Sequence, residues 1–303
     1  MKTANHLTES HLKESSRSLL RVQSAKAVTD GDGVNINRSV ASRALHRFDP
    51  FLLLDEIVSD DAADYIGGFP EHPHRGFETV TYMLEGSMKH RDHMGNEGLL
   101  ESGGVQWMSA GSGVLHSEMP QQVEGRFHGF QVWINLPAAE KMKAPVYREY
   151  SARQIPSIDF ADNSQVTVIA GDLTLNNKTV SGPINDVSTN PDYFDISIQK
   201  NETLKLAIDK NKRVLLYVYE GSLIILSNEI EQQLDSQQLG ELDSADNITI
   251  AASSDAKFLL LAAVPINEPV VNWGPFVMNT QQEIDQAISD YQTGNLVKNT
   301  KEK

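Results

Sequence analysis

The chain contains no cysteine. That removes disulfide bonds, thiolate catalysis and the Cys-rich tetrahedra that hold most structural zinc. Its 9 histidines end at His128, so the stretch from there to Lys303 offers no imidazole either. A second transition-metal site of N/S type is thereby excluded from the C-terminal half. Positive charge is scarce, with 26 Lys and Arg against 41 Asp and Glu and a formal net charge of −15. Binding to a phosphate backbone needs clustered Lys and Arg, so no direct nucleic-acid partner is expected; the basic tail at 298–303 is too brief to change this. Long apolar runs are also missing. The longest, 258–266, is broken by Pro265 and is too short to span a bilayer. Residues 1–16 are polar and lack the apolar core of a signal peptide. The expectation is a soluble, cytoplasmic protein with no membrane partner.

What remains is ample for a globular fold: 303 residues, 40% of them hydrophobic, allow two domains of ordinary size. The pattern is one of short β-type runs divided by turn signals. Residues 21–28 and 34–40 flank Asp30-Gly31-Asp32-Gly33, a hairpin turn, and residues 49–55 read as a buried strand. Glu85-Gly86, Gly95-Asn96, Gly103-Gly104 and Gly111-Ser112-Gly113 mark further corners, a rhythm that predicts a sandwich or barrel. Residues 137–160, with Pro137, Pro145 and Pro156, read as an inter-domain linker. A second β-rich block follows, and its Glu220-Gly221-Ser222 echoes Glu85-Gly86-Ser87, as two related barrels would. Thr280 and Glu283 form a capping-box signal before Ile284, Ala287, Ile288 and Tyr291, and Gly294 supplies a stop, which predicts a helix over 280–294.

The chemistry concentrates in two triplets, His72-Pro73-His74 and His116-Ser117-Glu118. Side chains two residues apart on a strand share a face. Two such strands side by side in a barrel bring three imidazoles and one carboxylate to one point. That donor set suits a mononuclear transition metal and leaves one or two positions open. His46 and His128 read as ordinary core or surface residues. His90 and His93, beside Asp92 and the Gly95 turn, read as an exposed hairpin, with a place behind the metal ligands or at the pocket rim as the alternative. Trp107, Phe51 and Phe130 read as core. Arg75 either supports the site electrostatically or pairs with a carboxylate on the barrel wall.

The stretch Gly68-Phe69-Pro70-Glu71-His72-Pro73-His74-Arg75-Gly76-Phe77-Glu78-Thr79-Val80-Thr81-Tyr82 resembles the signature of the pirin family, a branch of the cupin superfamily. So do Val105-Gln106-Trp107-Met108-Ser109-Ala110-Gly111-Ser112-Gly113 and Leu115-His116-Ser117-Glu118-Met119-Pro120, with support from 49–56, 131–137 and 274–280. The resemblance implies an all-β bicupin: two antiparallel β-barrel, or jelly-roll, domains with a C-terminal helix. It divides the chain into a flexible 1–18, a metal-binding barrel at 19–144 and a barrel without ligands at 145–303. It also implies one divalent metal, Fe²⁺ first, with Mn, Co, Ni or Cu as alternatives, held by His72, His74, His116 and Glu118. Glu118 is the candidate catalytic base should it loosen from the metal. Many cupins take a ligand from the Glu after His-x-His. Here that residue is Glu78, whose even spacing from the histidines could put it on their face. The resemblance takes the carboxylate from the His-x-Glu triplet instead, so Glu78 is expected behind the ligands and is kept only as a reserve ligand. The implied activity is a quercetin 2,3-dioxygenase-type oxidation of a flavonol or similar enolic phenol by O₂. The alternative is an iron-dependent regulatory module that docks on a protein partner, a transcription factor or metabolic enzyme, without catalysis.

Overall fold

Strands rich in β-branched and aromatic residues make up most of the computed structural model, which describes residues 16–40, 48–122, 124–227 and 230–297. In the first barrel a seven-stranded sheet runs Val146–Tyr150, Val105–Ser109, Phe77–Glu85, Phe127–Asn135, Phe51–Ser59, Val34–Val40, Lys26–Asp30. A four-stranded sheet, Phe69–His74, Val114–Pro120, Ser87–Asp92, Glu97–Glu101, faces it across the barrel. The second barrel repeats the plan with a seven-stranded sheet running from Leu19–Ser24 to Ser157–Ala161 and a four-stranded sheet that starts at Thr203–Ala207. The all-β, two-barrel expectation with one C-terminal helix therefore holds. The echoed turns take equivalent places: Gly86 (φ +100°) and Gly221 (φ +74°) each lead from a large-sheet strand to a small-sheet strand. Both conformations lie in the left-handed region that glycine enters without strain.

The two large sheets share one apolar core, in which Val80, Phe130 and Val132 of the first meet Leu215, Leu259 and Leu261 of the second. Glu56 and Asp195 bring carboxylates into this layer, each satisfied by two donors. Glu56 accepts from His128 Nε2 at 2.9 Å and from Tyr217 Oη at 2.8 Å. Asp195 accepts from Tyr82 Oη at 2.8 Å and Tyr219 Oη at 2.7 Å, and burial raises its pKa above the usual carboxylate range. His128 is thus a core residue, as expected. The interior of the second barrel is filled by apolar side chains such as Val166, Phe194, Leu216, Ile225 and Phe258.

Both ends of the described chain cross between barrels, which local sequence did not predict. Leu19–Ser24, expected to open the first barrel, pairs instead with Gln238–Leu242 of the second. Arg17, placed in the flexible 1–18, is 1% exposed and donates to the carbonyls of Lys212, Asp243 and Asp209. Residues 1–15, 41–47 and 298–303 lie outside the described residues, and with them His6, His11, His46 and the basic tail. The supposed linker is ordered sheet: Val146–Tyr150 edges the first barrel and Ser157–Ala161 the second. At the other end the helix Gln281–Gln292 begins with the Thr280/Glu283 capping box. Its Ile284 and Ala287 pack on Phe276 and Met278. Arg75, from the first barrel, binds this segment through Asp290 at 2.7 Å.

A second clamp is Lys141, 1% exposed, whose ammonium donates to Gly76 O (2.7 Å), Asn135 Oδ1 (2.5 Å) and Val277 O (3.0 Å). Its partners are neutral, and burial lowers its pKa from 10.5 to about 7. A lysine whose folded pKa is depressed is bound by more protons when unfolded, so stability rises with pH across the interval from 7 to 10.5. Lys141→Met is expected to flatten that rise. Relative to the native chain, the gain in unfolding free energy between pH 7 and 9.5 shrinks by about 1–3 kcal/mol. Denaturant midpoints of both proteins at the two pH values check this, and parallel curves would contradict it.

Candidate metal centre

The strand Phe69–His74 pairs antiparallel with Val114–Pro120, and His72 stands directly opposite His116 in the register. Because alternate residues share a face, His74 joins them on the barrel side. The ligand nitrogens of His72, His74 and His116 all lie within 4.8 Å of one another. His72 Nδ1 donates to the Pro70 carbonyl at 2.8 Å, which leaves a lone pair on its Nε2. That Nε2 is 3.0 Å from His74 Nε2. Two ligands at right angles, each ~2.1 Å from an ion, would be separated by about this distance. Among the described residues, His116 has no hydrogen-bond partner on either ring nitrogen, nor has His74 on Nδ1. Burial, with smaller contributions from the neighbouring imidazoles, lowers the pKa of His74 and His116 well below the ordinary value. Neutral buried imidazoles with orphaned nitrogens are costly in an apolar wall, and a cation resolves that cost. The residues therefore fit a metal ion.

Glu118 is 4% exposed and lies two residues beyond His116, but the register shifts between them. Its carboxylate is not part of the group of nitrogens. Glu118 Oε1 accepts from Thr81 Oγ1 at 2.9 Å, and Oε2 lies 3.5 Å from Gln131 Nε2. Glu118, His72 and His74 all line a cavity of about 500 Å³ that fills the space between the two sheets of the first barrel. Its walls are largely apolar, formed by Leu53, Ile57, Phe69, Met83, Met88 and Phe127, and Gly274 and Pro275 of the C-terminal segment complete them.

Two expectations are corrected by these positions, and one open choice, that for Arg75, is resolved. Glu78 is not with the histidines. Arg75 and Gly76 (φ +91°) carry the chain from the small sheet to the large one, so strand alternation starts afresh there. Thr81 and Met83 face the cavity, whereas Glu78 shares the other face with Val80 and Tyr82. Its carboxylate accepts from Trp107 Nε1 at 3.2 Å and lies 3.7 Å from Lys143. His90 is not on an exposed hairpin: it is 1% exposed, stacks on Tyr147 at 4.6 Å and lies 5.4 Å from the ring of His116. Its even spacing from Met88 on an alternating strand was the available signal. His93 sits between surface and core, and its Nδ1 accepts from Leu115 N at 3.3 Å. Arg75 has the structural role, paired to Asp290 and donating to Ser112 O at 2.6 Å. The polar residues Arg38, Asp55, Thr81 and Gln131 also line the cavity, and nothing in their local sequence marked them.

Fold and site together define a bicupin whose first barrel carries a histidine cluster suited to a metal ion. The pirin domain matches residues 33–134 and the pirin C-terminal cupin domain matches residues 193–297. The chain belongs to the pirin family. It is 43% identical over 280 residues, 92% of this chain and 98% of the relative, to a Pseudomonas aeruginosa protein provisionally named quercetin 2,3-dioxygenase. A crystal structure of quercetin 2,3-dioxygenase from Acinetobacter baumannii superposes with a TM-score of 0.85 at 31% identity, covering 94% of this chain and all of that one (100%). A bacterial pirin from Escherichia coli, crystallised with nickel(II), shares the fold at a TM-score of 0.59 and 22% identity, covering 81% of this chain and 98% of its own.

Any ion that binds the folded site and not the unfolded chain raises stability by mass action, about 2.7 kcal/mol at one hundred times Kd. Melts with and without added divalent metal are expected to show that gain in the native chain and none in His116→Ala. Equal gains in both proteins would place the ion elsewhere.

Proposed function

We propose that this protein is a metal-dependent dioxygenase acting on flavonols or similar enolic phenols, with His72, His74, His116 and Glu118 holding a single Fe²⁺. The observation that carries the reading is the opening of a histidine cluster and a buried carboxylate into a largely apolar cavity large enough for a planar aromatic molecule. The names borne by the similar Pseudomonas and Acinetobacter proteins point the same way. A bound divalent ion would supply Lewis acidity and, as iron, a redox couple toward dioxygen.

The chain's own groups do the rest. The apolar walls take up the aromatic rings and keep water from the reacting end. Glu118 Oε1, steadied by Thr81, accepts the proton of an incoming enolic hydroxyl and leaves the more reactive anion. Gln131 lies beside both groups and limits the carboxylate's rotation.

A regulatory role has one observation on its side. Arg75, next to His74, is paired to Asp290 of the C-terminal helix, so a change at the ligand strand would be transmitted to an outer element. Pull-downs with metal-loaded and metal-free protein, with and without flavonol, discriminate that reading.

Metal-loaded protein given quercetin is expected to consume O₂ in step with loss of the flavonol. His74→Ala is expected to abolish turnover, and Glu118→Gln to lower kcat by roughly 10²-fold or more if it removes the base. Absence of O₂ uptake with every flavonol tried would sink the enzyme reading.

A further inference from the structure

Four polar side chains form one row across the inner face of the first barrel's large sheet. In the strand registers Arg38 stands opposite Asp55, Asp55 opposite Gln131, and Gln131 opposite Thr81. All four line the cavity. Adjacent strands are ~4.8 Å apart, so the row spans about 14 Å, close to the long axis of a three-ring polyphenol. Its Thr81 end donates to Glu118 beside the histidine cluster. At its other end Arg38 holds Asp55 by two bonds, Nε to Oδ1 at 2.8 Å and Nη2 to Oδ2 at 2.6 Å, and reaches Asp30 at 2.8 Å.

The second barrel provides an internal comparison. It has the same sheet plan and no histidines, and among the described residues the inward positions of its large sheet, such as Val166, Phe194, Leu216, Phe258 and Leu260, are apolar. The fold itself therefore does not require one. Burying polar groups where apolar ones would pack is unfavourable unless they are used. Here each Asp55 oxygen accepts one bond from Arg38 and retains capacity for another, and Arg38 Nη1 makes no bond among the described residues. The far end of the cavity can thus offer both an acceptor and a donor to a ligand hydroxyl.

We propose that this row is a reading rail that orients a flat, polyhydroxylated ligand. The ligand's adjacent hydroxyl and keto oxygens lie at the Thr81–Glu118 end, and the hydroxyls of its remote ring bond at the Asp55–Arg38 end. The choice of ligand class rests on the dioxygenase reading; the existence of the rail does not. Arg38 and Asp55 are specificity-determining residues, remote from the reacting atoms.

The test compares quercetin with a flavonol that keeps the 3-hydroxy-4-keto pair but has no other hydroxyl. Two readouts are taken: dissociation constants on metal-free protein by fluorescence titration, and kcat/KM on metal-loaded protein. The native chain is expected to prefer quercetin by about tenfold in either readout, the scale of one additional hydrogen bond. Asp55→Asn, and separately the apolar pair Arg38→Met with Asp55→Leu, are expected to bring that ratio to within about twofold. Values for the stripped flavonol should stay near native, which a general loss of structure would not allow. The apolar pair avoids leaving one charge buried alone. A ratio unchanged in both variants, or a native protein that does not discriminate or bind either flavonol, overturns the rail. Discrimination in the binding readout without any turnover supports the rail and counts against the dioxygenase reading, so the two failures are distinct.

Discussion

Alternation along strands that are buried on both faces is the constraint on which this molecule depends. In the first barrel's large sheet, one set of residues supplies the core shared with the second barrel, as Leu54, Val80, Phe130 and Val132 do. The intervening set, including Leu53, Asp55, Thr81 and Gln131, lines the cavity. The same backbone thus builds a rigid dry layer and a functional chamber, and a slip of one residue would exchange them. The three histidines come from the opposite, smaller sheet, where the strands Phe69–His74 and Val114–Pro120 are fixed against each other by their own register. Rigid strands on both sides are what hold three imidazoles together against their preference for water.

The two barrels are not independent beads. The first described strand belongs to the second barrel's sheet, and the last segment closes the first barrel's cavity. Arg75 and Lys141 bind that segment within a few residues of the histidine strand. An isolated first barrel would lose Gly274 and Pro275 from its wall and two of the groups that satisfy buried cations. The candidate metal site is therefore a property of the whole chain, although all its candidate ligands come from one half.

How much of this could be read from sequence varied with the range of the interaction. The two triplets bring His72, His74 and His116 together because their spacing is local and strand periodicity is strict. The capping box of the C-terminal helix is local too, and it is present as expected. Glu78 failed as a reserve ligand because its even spacing was counted across Gly76, where the chain changes sheet and spacing loses its meaning. His90 looked like a turn residue because polar neighbours surround it in sequence, while its burial comes from Tyr147 and His116, distant along the chain. The polar row could not be seen at all. Arg38, Asp55, Gln131 and Thr81 become neighbours only through three strand pairings, none of which the local sequence specifies.

The central claim is that one divalent ion sits among His72, His74, His116 and Glu118. X-ray absorption spectroscopy on iron-loaded protein, repeated on His116→Ala and Glu118→Gln, tests it most directly. The account predicts the scattering of three imidazoles in the native chain, two at most after His116→Ala, and a lost or altered carboxylate contribution after Glu118→Gln. A spectrum free of imidazole scattering, or one unchanged by both substitutions, would contradict it.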